Sequence, residues 1–352
     1  MEPLALEFFK RIIETPSPSG YERPVQEIVR QYAGAFADEV TTDVHGNVMA
    51  VRNVEARLRV MLAGHCDQIG FLVRYVDSDG FLFVQAIGGW DPQIAVGQRM
   101  TVWTEGGPLA GVIARKPIHL LTDDERKQVA KMKDLWVDIG AKDHADAASR
   151  VRVGDAVTLE LGLRELLNER ASGPGMDDKT GLWVAMEALR RTRGAPLKCA
   201  LYAVSTVQEE IGLRGSRTSA YRINPYVGIA VDVCHATDSP SIEKKHEGDI
   251  ALDKGPVVYR GPNMNPRVVD RLLDAAKARE IPFQLAGHGP ATGTDANTIQ
   301  ITRAGVAAGL IGVPNRYMHS PVETVSLRDL DRAADLLAAF ALGLEGNEDF
   351  TP

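Results

Sequence analysis

Five short stretches of the 352-residue sequence concentrate side chains that bind metals or move protons. GHCDQIG at 64–70 places His65 and Asp67 directly after the apolar run VMLAG. On extended backbone, residues two apart point the same way, so the pair shares one face and Cys66 takes the other. Such a pair suits a metal ligand and a carboxylate that orients it. GMDDKTG at 175–181 sets Asp177 and Asp178 ahead of a helix that starts near Thr180, and Asp177 is the candidate to bridge two metals. TVQEEIGLRGS at 206–216 ends an apolar strand with Glu209 and Glu210 in succession. Consecutive strand residues face opposite sides, so both enter one site only where the strand gives way to a loop. Adjacent carboxylates at a buried edge are costly without a cation. One can ligate while the other serves as general base. IAVDVCHATD at 229–238 adds Asp232 with Cys234 on the same face, and RYMHSPVE at 316–323 adds His319 between the stiffening prolines Pro314 and Pro321.

Each stretch also has an ordinary reading: a polar strand end, helix capping by Asp177 and Asp178, a solvated glutamate pair, a structural histidine. Taken together, they lie mostly at the C-terminal ends of apolar strands, where open α/β sheets place their sites. Two histidines and three carboxylates, one of them a bridging Asp, form a chemically complete site for two divalent ions, with zinc, cobalt and manganese all compatible. The remaining histidines carry less: His45 falls in a turn, His119 reads as structural, and His235 and His288 stand near site segments.

The elements that must hold these residues follow from apolar spacing. Leu4, Phe8, Ile12 and Ile13 predict an opening helix stopped by Pro16 and Pro18; Val25, Ile28, Val29 and Tyr32 predict a second over 22–35. Residues 58–64 read as a buried strand. From about 70, FLVRYVDSDGFLFVQAIG, QRMTVWTEGGPLAGVIA and RVGDAVTLEL alternate apolar and polar residues around Gly-containing turns, a β-rich texture. From about 176 the pattern returns to helices (180–192, 266–279, 328–345) alternating with apolar runs (199–207, 227–234). The fold class is therefore α/β, with helices on both faces of a sheet. The simplest organisation is a discontinuous catalytic domain, 1–69 plus 166–352, with a β-rich domain over 70–165 inserted.

Bulk composition sets limits on partners. The formal charge is −7, with 44% hydrophobic and 25% charged residues. That balance fits a globular protein and argues against nucleic-acid or anionic-membrane partners. No apolar run reaches membrane-spanning length, and the N-terminus, acidic and amphipathic, does not read as a signal peptide. Three cysteines and no CxxC pair fit a cytoplasmic location.

The motifs TVQEEIGLRG, AVDVCHATD, TGTDA (292–296), RYMHSPVE and the segment KPIHLLTDDERKQVAKMKDLWVDIGA resemble the tetrahedral (TET) aminopeptidases, metallopeptidase family 42, which includes glutamyl aminopeptidases and proteins once labelled endoglucanase M. The resemblance spans nearly the whole chain. It implies a phosphopeptidase-like α/β domain with a mixed sheet and a small β-barrel insert that mediates dimer contacts. It implies a homo-oligomer, a dimer or a tetrahedral dodecamer, acting on peptides. It also implies residue roles: Asp177 bridges two divalent ions, His65 and Asp232 complete one, Glu210 and His319 complete the other, Glu209 is the general base, and Asp67 orients His65. Thr294 and Asp295 are implied near the substrate. The sequence departs from the usual pattern at Cys66, Gln68 and Lys179, where the family commonly has Met, Glu and Arg.

The expected reaction is thus release of N-terminal residues. The same site chemistry also serves a deblocking peptidase or a carboxypeptidase. A glycoside hydrolase needs two carboxylates across a sugar and no metal, which the histidines argue against. A silent assembly protein would not need the intact set. The preferred N-terminal residue is not readable, and Arg214, Lys244, Lys245 and Arg316 are the candidate cations for an acidic one.

Overall fold

The computed structural model describes residues 1–352. An 11-stranded mixed sheet and a closed six-stranded barrel organise the chain. Four parallel strands form the centre of the sheet in the order Ala200–Thr206, Arg59–His65, Val227–His235, Ala307–Arg316. All four end on the same side, which brings His65, the Glu209–Glu210 loop, Asp232 and the approach to His319 together. Buried on both faces, these strands read as continuous apolar runs.

Helix Met176–Arg191 crosses one face, buried almost throughout between the sheet and the helices Pro3–Glu14 and Leu327–Leu342. Trp183 fixes it: the indole N–H donates to the Ala5 carbonyl at 2.8 Å, and Phe9 packs edge-on against the ring. This contact corrects the expected face of the first helix. Phe9 is buried and Leu4 is exposed, because the helix also packs on Trp183 and not on the sheet alone. The second helix, Arg23–Ala33, buries Val25 and Val29 as expected, with Gln26 and Ala33 completing the face and Ile28 and Tyr32 half-buried. On the other face of the sheet, Ile299 of helix Asp295–Gln300 lies where a side chain on Gly228 would project.

The barrel takes strands Gly70–Val76, Leu82–Ile87, Arg99–Thr104, Gly107–Ala114, Trp136–Asp138 and Ala156–Leu159, every pair antiparallel. It has its own core around Phe71, Leu82, Met100, Ile113, Leu135 and Val157. The chain returns to the large sheet at strand Arg164–Leu166. The architecture is the expected α/β sheet with helices on both faces and a small barrel. No helix is long and apolar enough to cross a membrane.

Candidate metal centre

The centre begins with a close backbone crossing. A Cβ on Gly64 would lie 2.2 Å from the Gly181 carbonyl carbon, and one on Gly181 would lie 2.3 Å from the Asp178 carboxylate. Glycine at both positions lets the helix rest directly on the His65 strand. Residues 177 and 178 depart from helical geometry there, and the Asp177–Asp178 peptide is cis. The two aspartates divide the roles that the sequence left open. Asp178 turns inward, accepting the Gly181 N–H at 2.9 Å and the His65 N–H at 3.2 Å, which is a capping and cross-linking task. Asp177 points into the centre, one oxygen 3.2 Å from His65 Nε2 and the other 3.1 Å from His319 Nε2.

The successive glutamates enter one site because the strand ends at Thr206 and the loop is anchored beneath them. Asp67 Oδ1 accepts the Glu209 N–H at 3.0 Å, while Oδ2 accepts the Glu210 N–H at 3.2 Å and the Ser19 hydroxyl at 2.7 Å. Gln208, just before them, sits at φ 55°, a left-handed conformation that redirects the chain. His65 Nδ1 lies 3.0 Å from the Asp67 carbonyl oxygen and 3.5 Å from its carboxylate. The imidazole is thus oriented chiefly by backbone, leaving Nε2 to face Asp177 and Glu209.

Glu323, the last residue of RYMHSPVE, has a part that the motif does not announce. Fully buried, it accepts the His319 N–H at 2.7 Å and the Asp177 N–H at 3.2 Å, tying the bridge candidate to the last histidine. Its place four residues after His319 was the available signal. The barrel also reaches the site: His319 Nδ1 meets the Gly89 carbonyl at 2.8 Å, on a loop held by Trp90, whose N–H donates to Gly70.

Two groups that could each hold a metal ion result, the triads His65–Glu209–Asp232 and Asp177–Glu210–His319, each with its donor atoms within 4.8 Å of one another. Glu209 falls inside the first triad, its Oε2 3.7 Å from His65 Nε2. The electrostatics call for cations. Burial and the charges of Asp232, Asp295 and Glu210 push Glu209 up to about 10 against the pull of His65. Burial likewise pushes Asp232 and Glu323 each up to about 8, and raises Glu210 well above the usual range, with Asp177 adding to it. Burial opposes ionisation of Asp177 too, but hydrogen bonds to His319 and His65 hold it below the ordinary value. Glu210 Oε1 is buried with no hydrogen-bond partner. Without cations, burial favours the protonated forms of Glu209, Glu210, Asp232 and Glu323, whereas the two histidines keep Asp177 ionised. The donor set of imidazole nitrogens, carboxylates and an orphaned carboxylate oxygen fits two divalent ions.

A cavity of about 680 Å³ opens over the centre. The six expected residues His65, Asp177, Glu209, Glu210, Asp232 and His319 all line it, as do Thr294, His235 and His288. Asp295 does not; it lies behind the wall, 2% exposed, accepting the Thr206 hydroxyl at 2.7 Å. Cys234 lines the cavity and Cys66 is fully buried. His119 is exposed, and His45 lies in a turn, 3.1 Å from the Thr218 hydroxyl.

The profile of the family described as M42 glutamyl aminopeptidase matches residues 46–336, and the chain belongs to that family. It is 38% identical to the lysyl aminopeptidase of Pyrococcus furiosus, over 98% of this chain and 99% of that one. A TET aminopeptidase from a marine-sediment Thaumarchaeota archaeon superposes with a TM-score of 0.92 at 36% identity, covering 97% of this chain and 96% of that one. The TET1 peptidase of Pyrococcus horikoshii, described as assembling into a tetrahedron or a large octahedral shell, superposes at 0.86 with 29% identity, covering 97% and 100%. The chain is accordingly a hydrolase of peptide bonds.

Proposed function

We propose that the chain removes N-terminal residues from peptides with two divalent metal ions bound over the parallel strand ends. The observation that carries this is Asp177, which directs one carboxylate oxygen to His65 and the other to His319, each within a separate ligand triad. Asp177 would be shared, His65 and Asp232 would hold one ion, and Glu210 and His319 the other. Zinc or cobalt suits this set, and manganese can use it. The ions, when bound, would supply Lewis acidity for the scissile carbonyl and acidify the attacking water.

The chain's own residues do the rest. Glu209, on the cavity wall and beside His65 Nε2, accepts the proton of the attacking water and returns it to the leaving amine. Asp67 holds the Glu209–Glu210 turn, so we assign it to positioning both glutamates as well as His65. Thr294 lines the substrate side. Asp295 would act from behind, through the strand end at Thr206. We further propose a cytoplasmic homo-oligomer, either a dimer or a tetrahedral dodecamer. The barrel, inserted between 1–69 and 166–352, would carry dimer contacts.

The test is hydrolysis of aminoacyl chromogenic substrates by metal-free protein, with zinc, cobalt or manganese restored. Metal-dependent cleavage of free but not acetylated N-termini is expected. Cleavage only of acetylated or C-terminal substrates would replace this reading with a deblocking enzyme or a carboxypeptidase. Chelator-insensitive cleavage of a glycoside would replace it with a glycosidase.

A further inference from the structure

The family includes enzymes named for opposite charges of substrate residue, so the cavity wall must decide the preference in this chain. None of the residues lining the cavity is a lysine or an arginine. The four cations that sequence position offered are engaged elsewhere. Arg316 forms a two-point pair with Asp238 at 2.7 and 2.8 Å, Lys244 binds Asp249 at 2.6 Å, Lys245 binds Glu243 at 2.7 Å, and Arg214 is exposed beside Gln208. Apart from the histidines of the metal centre, the side-chain nitrogens available to a carboxylate entering here are the imidazoles of His235 and His288.

Glu247 is the charged wall residue outside the metal centre, and it is exposed to solvent. It ends the short helix Lys244–Glu247. The cations beside it, Lys244, Lys245 and His246, are each closest to another carboxylate, leaving Glu247 without an ion pair. Ile250, Tyr259 and Leu310 give the same cavity apolar wall. An aliphatic stem ending in a positive charge matches that combination, because the stem packs on apolar surface while the head keeps a carboxylate partner.

We propose that the cavity selects a basic N-terminal residue, lysine or arginine, and that Glu247 reads its charge. This rests on the aminopeptidase reading. The geometry separates two jobs: the strand-end carboxylates hold the reacting peptide end, and the 244–250 loop sorts side chains. An acidic N-terminal residue finds no fixed cation and meets Glu247, so it is rejected by like charge as well as unrewarded.

The experiment measures kcat/KM of the metal-loaded enzyme on lysyl, arginyl, leucyl and glutamyl fluorogenic amides, and on the dipeptides Lys-Ala and Ala-Lys. Lysyl and arginyl amides are expected to exceed the glutamyl amide by about tenfold, the scale of one exposed charge acting by attraction on one substrate and repulsion on the other. Glu247→Gln should lower the lysyl-to-leucyl ratio about fivefold, Glu247→Lys should reverse the lysyl–glutamyl order, and Glu247→Asp should keep the wild-type order. A wild-type preference for the glutamyl amide, unchanged ratios in both charge variants, or an effect confined to the second residue of the dipeptides would overturn the assignment while leaving the aminopeptidase intact. No cleavage of any free N-terminus would overturn both.

Discussion

Asp67 shows how one buried carboxylate can organise a site without facing the reacting atoms. Its two oxygens collect the N–H groups of Glu209 and Glu210 and the Ser19 hydroxyl, which fixes two neighbouring residues that would otherwise diverge. Position and chemistry are therefore separable by substitution. Glu209→Gln keeps the shape of its side chain and removes its basicity; kcat should fall at least about a thousandfold with two metals per chain retained, as counted by plasma emission spectrometry. Loss of an ion in that variant would instead make Glu209 a ligand of the His65–Asp232 triad. Asp177→Asn removes the negative charge that the two triads would share, and bound metal should drop to one ion or none per chain. The residue types of this site were legible because metal chemistry uses few of them and most lie at or just beyond an apolar strand end, with Asp177 at a helix start. Glu323 escaped because its work is done through backbone amides, which no side-chain motif announces. The family resemblance implies a place near the substrate for Asp295, but only the fold shows that it turns away from the cavity, towards Thr206.

At the scale of elements, the crossing of strand Arg59–His65 and helix Met176–Arg191 sets the distance between the His65 and Asp177 side chains. Gly64→Ala would drive a methyl into the Gly181 backbone at 2.2 Å, where neither partner is a flexible side chain. The overpacking should cost about 1–3 kcal/mol. Because the displaced backbone carries Asp177, metal affinity should fall more than stability does; differential scanning calorimetry beside zinc titration would show both, and an intact affinity would refute the coupling. Lys179 braces the same junction. Fully buried, its ammonium donates to the Thr15 carbonyl at 2.7 Å and to Gln68 Oε1 at 2.6 Å, and burial brings it down to about 7. The two departures from the usual pattern at Gln68 and Lys179 are thus one contact. Lys179→Met should cost about 1–3 kcal/mol by stranding both acceptors, read as a lower urea midpoint. The strands and helices here were legible from apolar period, since buried parallel strands are unbroken runs. The packing partner was not: Phe9 replaces Leu4 on the buried face because of Trp183, a contact 174 positions distant in sequence that periodicity cannot encode.

At the scale of the whole molecule, the candidate metal centre joins parts of the chain that have separate cores. His65 and Asp177 come from the parallel sheet and its buried helix, while His319 is held by the barrel's Gly89 carbonyl and, through Glu323, by Asp177. Cations bound there would tie the barrel loop to the sheet, so their free energy of binding adds to the cooperativity of the folded state. Removing them leaves Asp177, Glu209, Glu210 and Asp232 crowded in a buried space with Glu210 Oε1 unpartnered. Chelation should therefore lower the unfolding temperature by several degrees and, in hydrogen exchange, release the 88–90 loop and the 317–323 segment before the parallel strands. At a metal concentration a thousandfold above Kd, linkage predicts about 4 kcal/mol per independent site. Zinc restored in excess should recover the transition, and Glu210→Gln, which keeps the fold's packing but weakens one triad, should recover only part of it. Equal unfolding temperatures for loaded and stripped protein would mean that the triads hold no structural cation, and the dinuclear reading would fall with them.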